Sequence, residues 1–330
     1  MTKELVLECL RASEGFVSGQ QMSEELHLTR AAVWKAIQSL RADGYEIESV
    51  TNRGYRLEAA TVQLQEREIR RALGSHPWAE NLTVLPSVES TNTLAKERAA
   101  SGAPHGTVIV ADRQTGGRGR LGRSFSSPAG MGVYLSVILR PQAPPDRLLH
   151  LTAMTAVAAC NAVEEAAGIR PGIKWTNDLV FGRRKAAGIL TELSLEAESG
   201  TVEYAVIGIG VNCCQAESDF PPDVRPIAVS VRQALGGGEV NRNLLAACLI
   251  RELARADREM FSRRGAWMER YAAGCVTIGQ DVKILRGDTV RYAHADGVDE
   301  NAGLLVTYDD GSKGVVSSGE VSVRGMYGYL

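Results

Sequence analysis

The first sixty residues carry the periodicity of two short helices. Ser18 and Gln21 have the spacing of a capping box, which predicts a helix that runs to about His27. Thr29 is predicted to cap a second helix that stops at Gly44. The apolar positions of this second helix fall at i, i+4 and i+7, and they are Val33, Ile37 and Leu40. Two helices joined by a short turn are typical of a helix-turn-helix.

The segment after the second helix reads as two short strands. Residues 45–48 and 55–57 flank a turn at 51–54, which predicts a hairpin that would form a wing. Basic residues off the apolar stripe and on the turn are the candidate DNA-binding residues, namely Arg30, Lys35 and Arg53. Because residues 1–60 hold nine acidic and seven basic side chains, a small helical protein-interaction domain stays an alternative.

From about residue 63 the pattern changes to longer strands and helices. Runs rich in Val and Ile predict strands at Leu82–Leu85, Thr107–Ala111, Gly132–Leu139, Ile173–Trp175, Gly188–Leu193 and Val202–Val211. Helical periodicity appears at 91–100, 148–167 and 242–262. Because hairpin-like runs dominate the middle of the chain, we expect an α+β domain with a mixed, mainly antiparallel sheet.

The last part of the chain is a series of short strands broken by Gly and Asp turns. The strands are predicted at Val282–Leu285, Thr289–Tyr292, Gly303–Tyr308, Gly314–Ser317 and Glu320–Val323. A small SH3-like β-barrel fits this pattern. The chain is therefore predicted to be a multidomain α+β protein. Its domains are a winged helix-turn-helix at 1–62, a central α+β domain at 63–273 and an SH3-like domain at 274–330.

Composition narrows the class of protein. With 330 residues and 44% apolar side chains the chain can bury more than one core, and its net charge of −2 argues against a protein coated with nucleic acid. The N-terminus does not read as an export signal, so we expect a cytoplasmic protein with six reduced cysteines. The cysteines and histidines lack the spacing of zinc ligands, so no protein-bound transition metal is expected.

A glycine-rich loop at residues 114–123 is the most informative stretch. Its Gly117, Gly119 and Gly122 satisfy G-x-G-x-x-G, but residues 124–130 cannot form the helix that a dinucleotide fold requires. The loop instead carries guanidinium groups that suit phosphate and carboxylate, on Arg118, Arg120 and Arg123. A solvated basic loop and a contact to the DNA backbone stay alternatives for this segment alone.

A second group of polar residues follows a strand and a hairpin. Lys174-Trp175-Thr176-Asn177-Asp178 ends one strand, and residues 183–192 follow a hairpin at Gly182. This arrangement would bring together the amide of Asn177, the carboxylate of Asp178 and the ammonium of Lys185. Each residue alone also has an ordinary interpretation as turn chemistry or as a surface lysine.

Together these segments resemble the biotin protein ligase family. The matching motifs are Gly-Arg-Gly-Arg-x-Gly-Arg at 117–123, Ser-Thr-Asn at 90–92, Lys-Trp-x-Asn-Asp at 174–178, Lys-x-x-Gly-Ile-Leu-x-Glu at 185–192 and Gly-Ile-Gly-Val-Asn at 208–212. The resemblance covers about residues 80–325, and the preceding winged helix indicates the bifunctional class that also represses transcription. The chain departs from the family at Leu121, Phe125 and Thr176, where Arg, Trp and Pro are frequent. The missing arginine at 121 is expected to loosen contacts between the loop and its ligand.

The resemblance implies a site for biotin and its adenylate. The residues that it places there are Ser90, Thr91, Asn92, Gln114, Gly117, Arg118, Gly119, Arg120, Arg123, Asn177, Asp178, Lys185 and Gly188. Lys185 and Arg118 are the candidate catalytic residues, and Gln114, Ser90 and Thr91 the candidates for the ureido end of biotin. Mg²⁺ would come with the nucleotide, near Asp178, and the glycine-rich loop would close as a lid.

The resemblance also implies a reaction and partners. Biotin and ATP would give biotinyl-5'-AMP, and a lysine of a biotin carboxyl carrier protein would then take the biotinyl group. Operator DNA would be bound by a homodimer that forms with ligand. A lipoate or octanoate ligase, and a ligand-sensing repressor with an inactive catalytic domain, stay alternatives. The arginine-rich loop counts against the first, and the presence of Lys185 with all three loop arginines against the second.

Overall fold

A computed structural model describes residues 2–13, 15–42, 45, 47–51, 53–57, 63–196, 198–317 and 321–325 of the chain. The chain divides into two compact units, Met1–Gln63 and Leu64–Leu330. The predicted helix end at Gly44 and the predicted boundary at residue 62 lie outside the described residues. The predicted boundary at residue 273 falls inside the second unit and stays a prediction.

The first unit has the predicted order of two helices and two strands, preceded by one further helix that was not predicted. It contains α1 (Thr2–Ala12), α2 (Gly19–Glu25), α3 (Arg30–Ala42), β1 (Ile47–Val50) and β2 (Gly54–Leu57), and the two strands pair antiparallel. Ser18 Oγ accepts from the Gln21 amide at 3.0 Å and Thr29 Oγ1 from the Ala32 amide at 3.1 Å, so both predicted caps are present. The first of these helices ends two residues before His27, because the chain turns there with a φ of 51°.

The apolar stripe of α3 forms the core of this unit. Val33, Ile37 and Leu40 are buried, and they belong to one cluster with Leu7 and Met22. The winged helix-turn-helix predicted from the periodicity is therefore confirmed as a helix-turn-helix followed by a two-stranded hairpin.

The second unit is built on a mixed sheet with helices on both faces. Its elements are α4 (Glu66–Leu73), β3 (Leu82–Leu85), α5 (Thr91–Ala100), β4 (Thr107–Ala111), β5 (Gly132–Leu139), α6 (Leu151–Ala167), β6 (Gly172–Lys174), β7 (Asp178–Phe181), β8 (Arg184–Leu195), β9 (Val202–Asn212), α7 (Val231–Ala234), α8 (Arg242–Glu259), α9 (Arg264–Gly274), β10 (Asp281–Arg286), β11 (Thr289–Val298), β12 (Leu304–Tyr308), β13 (Lys313–Val316) and β14 (Val321–Gly325). Of the helices that the structure describes, none is long and apolar enough to span a bilayer.

The central sheet confirms the predicted mixed, mainly antiparallel topology. Its strand order is β3-β4-β5-β9-β8-β7-β6, in which β3 and β4 run parallel and the other neighbours antiparallel. Ile109, Ile138 and Val206 pack with Ala95 and Ala99 of α5 on one face. The alternate positions of the same strands join the large cluster that contains α6 and α8. The sheet is thus buried on both faces, which explains why every residue of β4 and β5 is buried and almost all are apolar.

Some elements differ from the sequence prediction. β8 is longer than predicted, because it begins with the charged residues Arg184 and Lys185, which pair with β7 across the hairpin at Gly182. β7 was not predicted as a strand. Three helices, α4, α7 and α9, were also missed. Only Ile69 and Leu73 are buried apolar residues within α4. Two apolar positions, four residues apart, are too few to reveal a helix.

The C-terminal strands form an antiparallel sheet in the order β13-β12-β11-β10-β14. Among the described residues no pairing joins β13 to β14, so closure into an SH3-like barrel stays a prediction. Two hydrogen bonds of Trp175 fasten this region to the central sheet. Its indole donates to the Ala302 carbonyl at 2.8 Å, and its amide donates to Thr277 Oγ1 at 3.0 Å.

A buried ion pair joins α8 to the sheet. Arg242 NH1 lies 2.6 Å from Asp112 Oδ1 and also donates to the Gly132 carbonyl at 3.0 Å, while its side chain is 3% exposed. The other carboxylate oxygen of Asp112 accepts from the Gly130 amide at 3.0 Å. The two side chains compensate each other's charge inside the protein. Removal of either one would leave the other charge buried without its counter-ion.

We therefore expect Arg242→Met to lower the free energy of unfolding by about 3 kcal/mol, the usual cost of breaking a buried pair from one side. Arg170→Met is the matched control, because the pair of Arg170 with Glu164 has side chains 40% and 51% exposed and should contribute less than about 1 kcal/mol. Denaturant unfolding of both variants measures the difference. Equal losses in the two variants would contradict the assignment.

Candidate functional site

A cleft opens where α5, the glycine-rich loop and the strands β8 and β9 meet. Its lining residues are Ser90, Thr91, Asn92, Gln114, Arg118, Gly119, Arg120, Phe125, Asn177, Lys185, Gly188, Ile189, Leu190, Gly208, Ile209 and Gly210. Ser90 caps α5 by accepting from the Thr93 amide at 3.4 Å. This cap places the first turn of the helix, with its polar side chains, at the wall of the cleft.

A network of neutral polar groups occupies one end of the cleft. Gln114 Oε1 accepts from the Thr91 amide at 2.8 Å and faces Thr91 Oγ1 at 3.1 Å, while Gln114 Nε2 donates to Ser127 Oγ at 2.9 Å. Ser136, on β5, lies 2.8 Å from Thr91 Oγ1 and 2.6 Å from Asn92 Oδ1. These contacts fix the amide orientations of Gln114 and Asn92.

The network has one hydroxyl hydrogen fewer than it has oxygen–oxygen contacts. Thr91 and Ser136 supply two hydroxyl hydrogens for three oxygen–oxygen contacts, at 2.6, 2.8 and 3.1 Å. One contact must therefore have oxygen lone pairs on both sides. A ligand N–H that reaches this end of the cleft finds an acceptor ready, which suits a neutral amide or urea.

Asn92 is held in place by β8 and by a glycine of β9. Its Nδ2 donates to Glu192 Oε2 at 2.9 Å, and Glu192 Oε1 pairs with Lys96 Nζ at 2.6 Å. A Cβ at Gly208 would overlap the Asn92 side chain, so the strand can approach the amide only with glycine at this position.

Cationic groups occupy the other end of the cleft. Lys185 Nζ lies 2.6 Å from Asp178 Oδ1, and a Cβ at Gly188 would come within 3.0 Å of that ammonium. Arg120 donates to Asn177 Oδ1 at 3.0 Å. Burial lowers the pKa of Arg120, and the charge of Asp178 opposes this effect. A desolvated cation of this kind binds an incoming anion strongly.

The glycine-rich loop folds back on itself over the cleft. Gly119 N donates to the Arg123 carbonyl at 2.7 Å, and Phe125 N donates to the Gly117 carbonyl at 2.9 Å. A Cβ at Gly117 would overlap the carbonyl oxygen of Phe125, which explains why glycine stands there. The Arg118 side chain is 55% exposed and lies 3.6 Å from the Glu89 carboxylate.

The structure brings most of the predicted site residues together. Ser90, Thr91, Asn92, Gln114, Arg118, Gly119, Arg120, Asn177, Lys185 and Gly188 line the cleft, and Asp178 joins them through Lys185. Gly117 is buried within the loop and is not among the residues that line the cleft. Arg123 is exposed and is not among the lining residues, because Leu121 turns the chain with a φ of 57°. A ligand contact from Arg123 stays a prediction.

The three departures from the family pattern have different surroundings. Leu121 is 54% exposed, so its side chain points away from the packed part of the loop. Phe125 lines the cleft, and a Cβ at Gly210 would come within 2.6 Å of its ring. Thr176 is 3% exposed, and its carbonyl accepts from the Tyr271 hydroxyl at 3.1 Å.

Sequence reasoning missed Ser136 and the apolar wall of Ile189, Leu190 and Ile209. The signal for Ser136 was present, because it is the one hydroxyl side chain other than Tyr134 in the apolar run of β5 and is fully buried. A buried hydroxyl needs partners, and its partners here are the site residues Thr91 and Asn92.

The predicted DNA-binding residues lie on the surface of the first unit. Arg30 and Lys35 are exposed on α3, and Arg53 is exposed on the turn before β2. The Arg53 guanidinium lies 4.4 Å from the centre of the Phe16 ring. These positions are accessible to a nucleic acid.

Three family models match the chain along its length. The biotin/lipoate A/B protein ligase family matches residues 84–212, an HTH domain matches 2–56, and the biotin protein ligase C terminal domain matches 277–324. Among solved structures, the biotin protein ligase from Aquifex aeolicus in complex with biotin and ATP has a TM-score of 0.64 and 28% identity. That match covers 74% of this chain and 99% of the other.

Curated relatives match almost the whole chain. The bifunctional ligase/repressor BirA of Bacillus subtilis is 38% identical over 323 residues, which is 96% of this chain and 97% of the relative. The protein of the same name from Escherichia coli is 32% identical over 328 residues, with 98% of each chain covered. With this identity over both the ligase and the helix-turn-helix regions, the chain belongs to the family of bifunctional biotin ligase/repressors.

Proposed function

We propose that this chain is an ATP-dependent biotin protein ligase that also represses transcription in response to biotin. One observation carries the ligase assignment: a neutral polar network and a cationic group occupy the two ends of a single cleft. Biotin has a neutral ureido end and a carboxylate end, and ATP adds phosphates beside the carboxylate. The polarity of the cleft therefore matches the polarity of biotinyl-5'-AMP.

The polar network is proposed to bind the ureido group. The acceptor left over among Gln114, Thr91 and Ser136 suits a ureido N–H, and Ser90 lies at the same wall. The side chains of Ile189, Leu190 and Ile209 supply apolar surface for the ring sulfur and the acyl chain.

The cationic end is proposed to catalyse adenylation. A carboxylate oxygen of biotin forms a bond to the α-phosphorus of ATP, and the bond from that phosphorus to the bridging oxygen of pyrophosphate breaks. Lys185 has three donors, so it can hold Asp178 and still donate to phosphoryl oxygens. Arg120 and Arg118 line the same cleft and reduce the repulsion between the two anions.

Mg²⁺ fits the donors at this end of the cleft. Asp178 provides a carboxylate at this end, and its Oδ1 lies 2.6 Å from Lys185 Nζ. One carboxylate together with nucleotide phosphates is a usual set of ligands for this ion. We propose that Asp178 helps to hold Mg²⁺, which when bound neutralises phosphate charge.

Transfer follows in the same cleft. The amine of a carrier lysine attacks the carbonyl carbon of the adenylate, an amide bond forms, and AMP leaves with the bonding electron pair. Until the carrier arrives, the glycine-rich loop is proposed to close as a lid and exclude water. Arg118 can act as its tether, since this side chain lines the cleft and forms a partly exposed ion pair with Glu89 that a ligand can replace.

The repressor role rests on the first unit. We propose that α3 binds operator DNA, that Arg53 of the hairpin contacts its backbone, and that a ligand-bound homodimer matches a two-fold operator.

The carrier is proposed to be a biotin carboxyl carrier protein, a subunit of acetyl-CoA carboxylase. Because this substrate, ATP and DNA are cytoplasmic in bacteria, we propose that the chain acts in the cytoplasm. We also propose that its C-terminal sheet closes into an SH3-like barrel.

Lys185→Ala should slow adenylate formation at least 100-fold, because it removes the cation beside two converging anions. Biotin-dependent release of pyrophosphate measures this step. Arg183→Ala, on the exposed turn of the same hairpin, is the control and should keep the normal rate. A thermal unfolding midpoint of Lys185→Ala equal to that of the parent chain identifies lost catalysis and not lost folding as the cause of slow adenylation. A rate within about threefold of the parent would remove Lys185 from the mechanism.

Arg118→Gly should release the adenylate early, because it removes the tether and adds backbone freedom to the loop. The free adenylate should then biotinylate serum albumin added to the reaction, whereas the parent chain labels only its carrier. Leu121→Gly adds a further glycine to the same loop at a side chain that is 54% exposed and outside the cleft lining, and it serves as the control. Adenylate that is made normally and held as long as in the parent would show that Arg118 is not the tether.

Biotin with ATP should raise the average mass of the sedimenting species from that of a monomer toward that of a dimer. It should also tighten binding to operator DNA, since a ligand that favours one state shifts the population to that state. Sedimentation and DNA titration with and without the ligands measure both effects. Lys35→Ala should weaken DNA binding and leave ligation unchanged. If neither mass nor DNA affinity responds to ligand, only the ligase role remains.

A further inference from the structure

The recognition helix α3 has two faces of unlike chemistry. Its buried face consists of Val33, Ala36, Ile37 and Leu40, which belong to the core of the first unit. Its exposed residues in the first two turns are Arg30, Ala31, Trp34 and Lys35. Ala31 and Trp34 are three residues apart, so they are neighbours on the helix surface and form a small apolar patch between two cations.

The exposure of Trp34 is unusual within this chain. Its relative exposure is 57%, whereas Trp78, Trp175 and Trp267 are 8%, 4% and 0% exposed. A single exposed apolar residue requires no partner by itself. The charges around Trp34 provide the second observation, because they indicate what kind of surface would cover it.

Among the helices of the first unit, α3 is the one with a net positive charge, since α1 is neutral and α2 is acidic. α3 has three basic residues and no acidic residue among its 13 positions, while α1 contains Glu4 and Glu8 and α2 contains Glu24 and Glu25. Residues 1–60 as a whole are acidic by nine to seven. The exposed face of α3 therefore complements a polyanion that also offers apolar groups, and the major groove of DNA offers both phosphates and thymine methyl groups.

We propose that Trp34 determines part of the DNA specificity, with its indole packed against thymine 5-methyl groups in the major groove. The inference rests on the proposed DNA-binding role and adds the base class that is read. A recognition helix places its N-terminal turns against base edges, and Trp34 lies in the second turn of α3, four residues after Arg30. Arg30 and Lys35 flank it and meet phosphates, which supply affinity without sequence information.

The test uses a duplex that the full chain, with biotin and ATP, selects from a random pool. Each thymine is then replaced in turn by deoxyuridine, which removes only the 5-methyl group. Burial of one methyl group corresponds to about a fourfold change in affinity. We expect that loss at one or two positions in each half-site for the parent chain, and no loss at those positions for Trp34→Ala.

Lys35→Ala is the matched control. It should weaken binding to every duplex about equally and keep the full response to deoxyuridine, because it loses a phosphate contact and not a base contact. Trp34→Leu retains apolar surface and replaces the alanine variant if that variant binds too weakly to compare. Thermal unfolding and unchanged ligase activity verify that each variant folds.

Fluorescence gives an independent measurement, because Trp34 is the exposed one of four tryptophans. DNA should shift its emission to shorter wavelength, and Trp34→Phe should lose that shift. If the Trp34→Ala chain binds the selected duplex as the parent does, or keeps the response to deoxyuridine, the proposal for Trp34 is overturned and the repressor role stands. A parent chain that selects no duplex overturns the repressor role as well, and an acidic protein partner then becomes the occupant to test.

Discussion

The close approach of β9 to the start of α5 is the constraint on which the site depends. Asn92 can lie flat on the sheet only because Gly208 has no side chain. Once seated there, its amide is fixed between Glu192 on one side and Ser136 on the other. The first turn of α5 is then held against the sheet, and Ser90 and Thr91 are presented to the cleft. A backbone feature of one strand thus orients polar groups on a helix distant in sequence.

The two ends of the cleft are prepared for ligands in different ways. The polar end is a set of neutral groups in fixed orientations, so it selects by hydrogen-bond pattern. At the other end Lys185 Nζ lies 2.6 Å from Asp178 Oδ1, so this side chain is held in position and needs little rearrangement when an anion binds. In the proposed function, the fixed polar groups serve recognition at one end and the positioned cation serves reactivity at the other.

The sequence predicted those parts of the molecule whose signal is local. The apolar stripe of α3, the N-cap of α2 at Ser18, the N-cap of α3 at Thr29 and the positions of six central strands follow from local sequence patterns. The resemblance to the biotin protein ligase family, carried by short motifs, implied that Gln114 and Lys185 lie in one site, and the structure places both in one cleft. These inferences required no knowledge of the tertiary packing.

Features that depend on packing could not be predicted in this way. Ser136 lies in a strand whose other residues are almost all apolar, and only the pairing of β5 with its neighbours brings it to Asn92. The exposure of Arg123 depends on the left-handed turn at Leu121, a conformation that leucine rarely adopts and that its identity does not indicate. In both cases the decisive information lies in distant parts of the chain.

The contacts at the two ends of the glycine-rich loop have a consequence for the entropy of binding. Gln114 is fixed to Thr91 and Ser127 at one end, and Gly130 and Gly132 are fixed to Asp112 and Arg242 at the other. Closure of the proposed lid therefore orders only the residues between these anchors. The conformational entropy lost on this closure is limited to that segment, so ordering the loop offsets less of the binding free energy of the ligand.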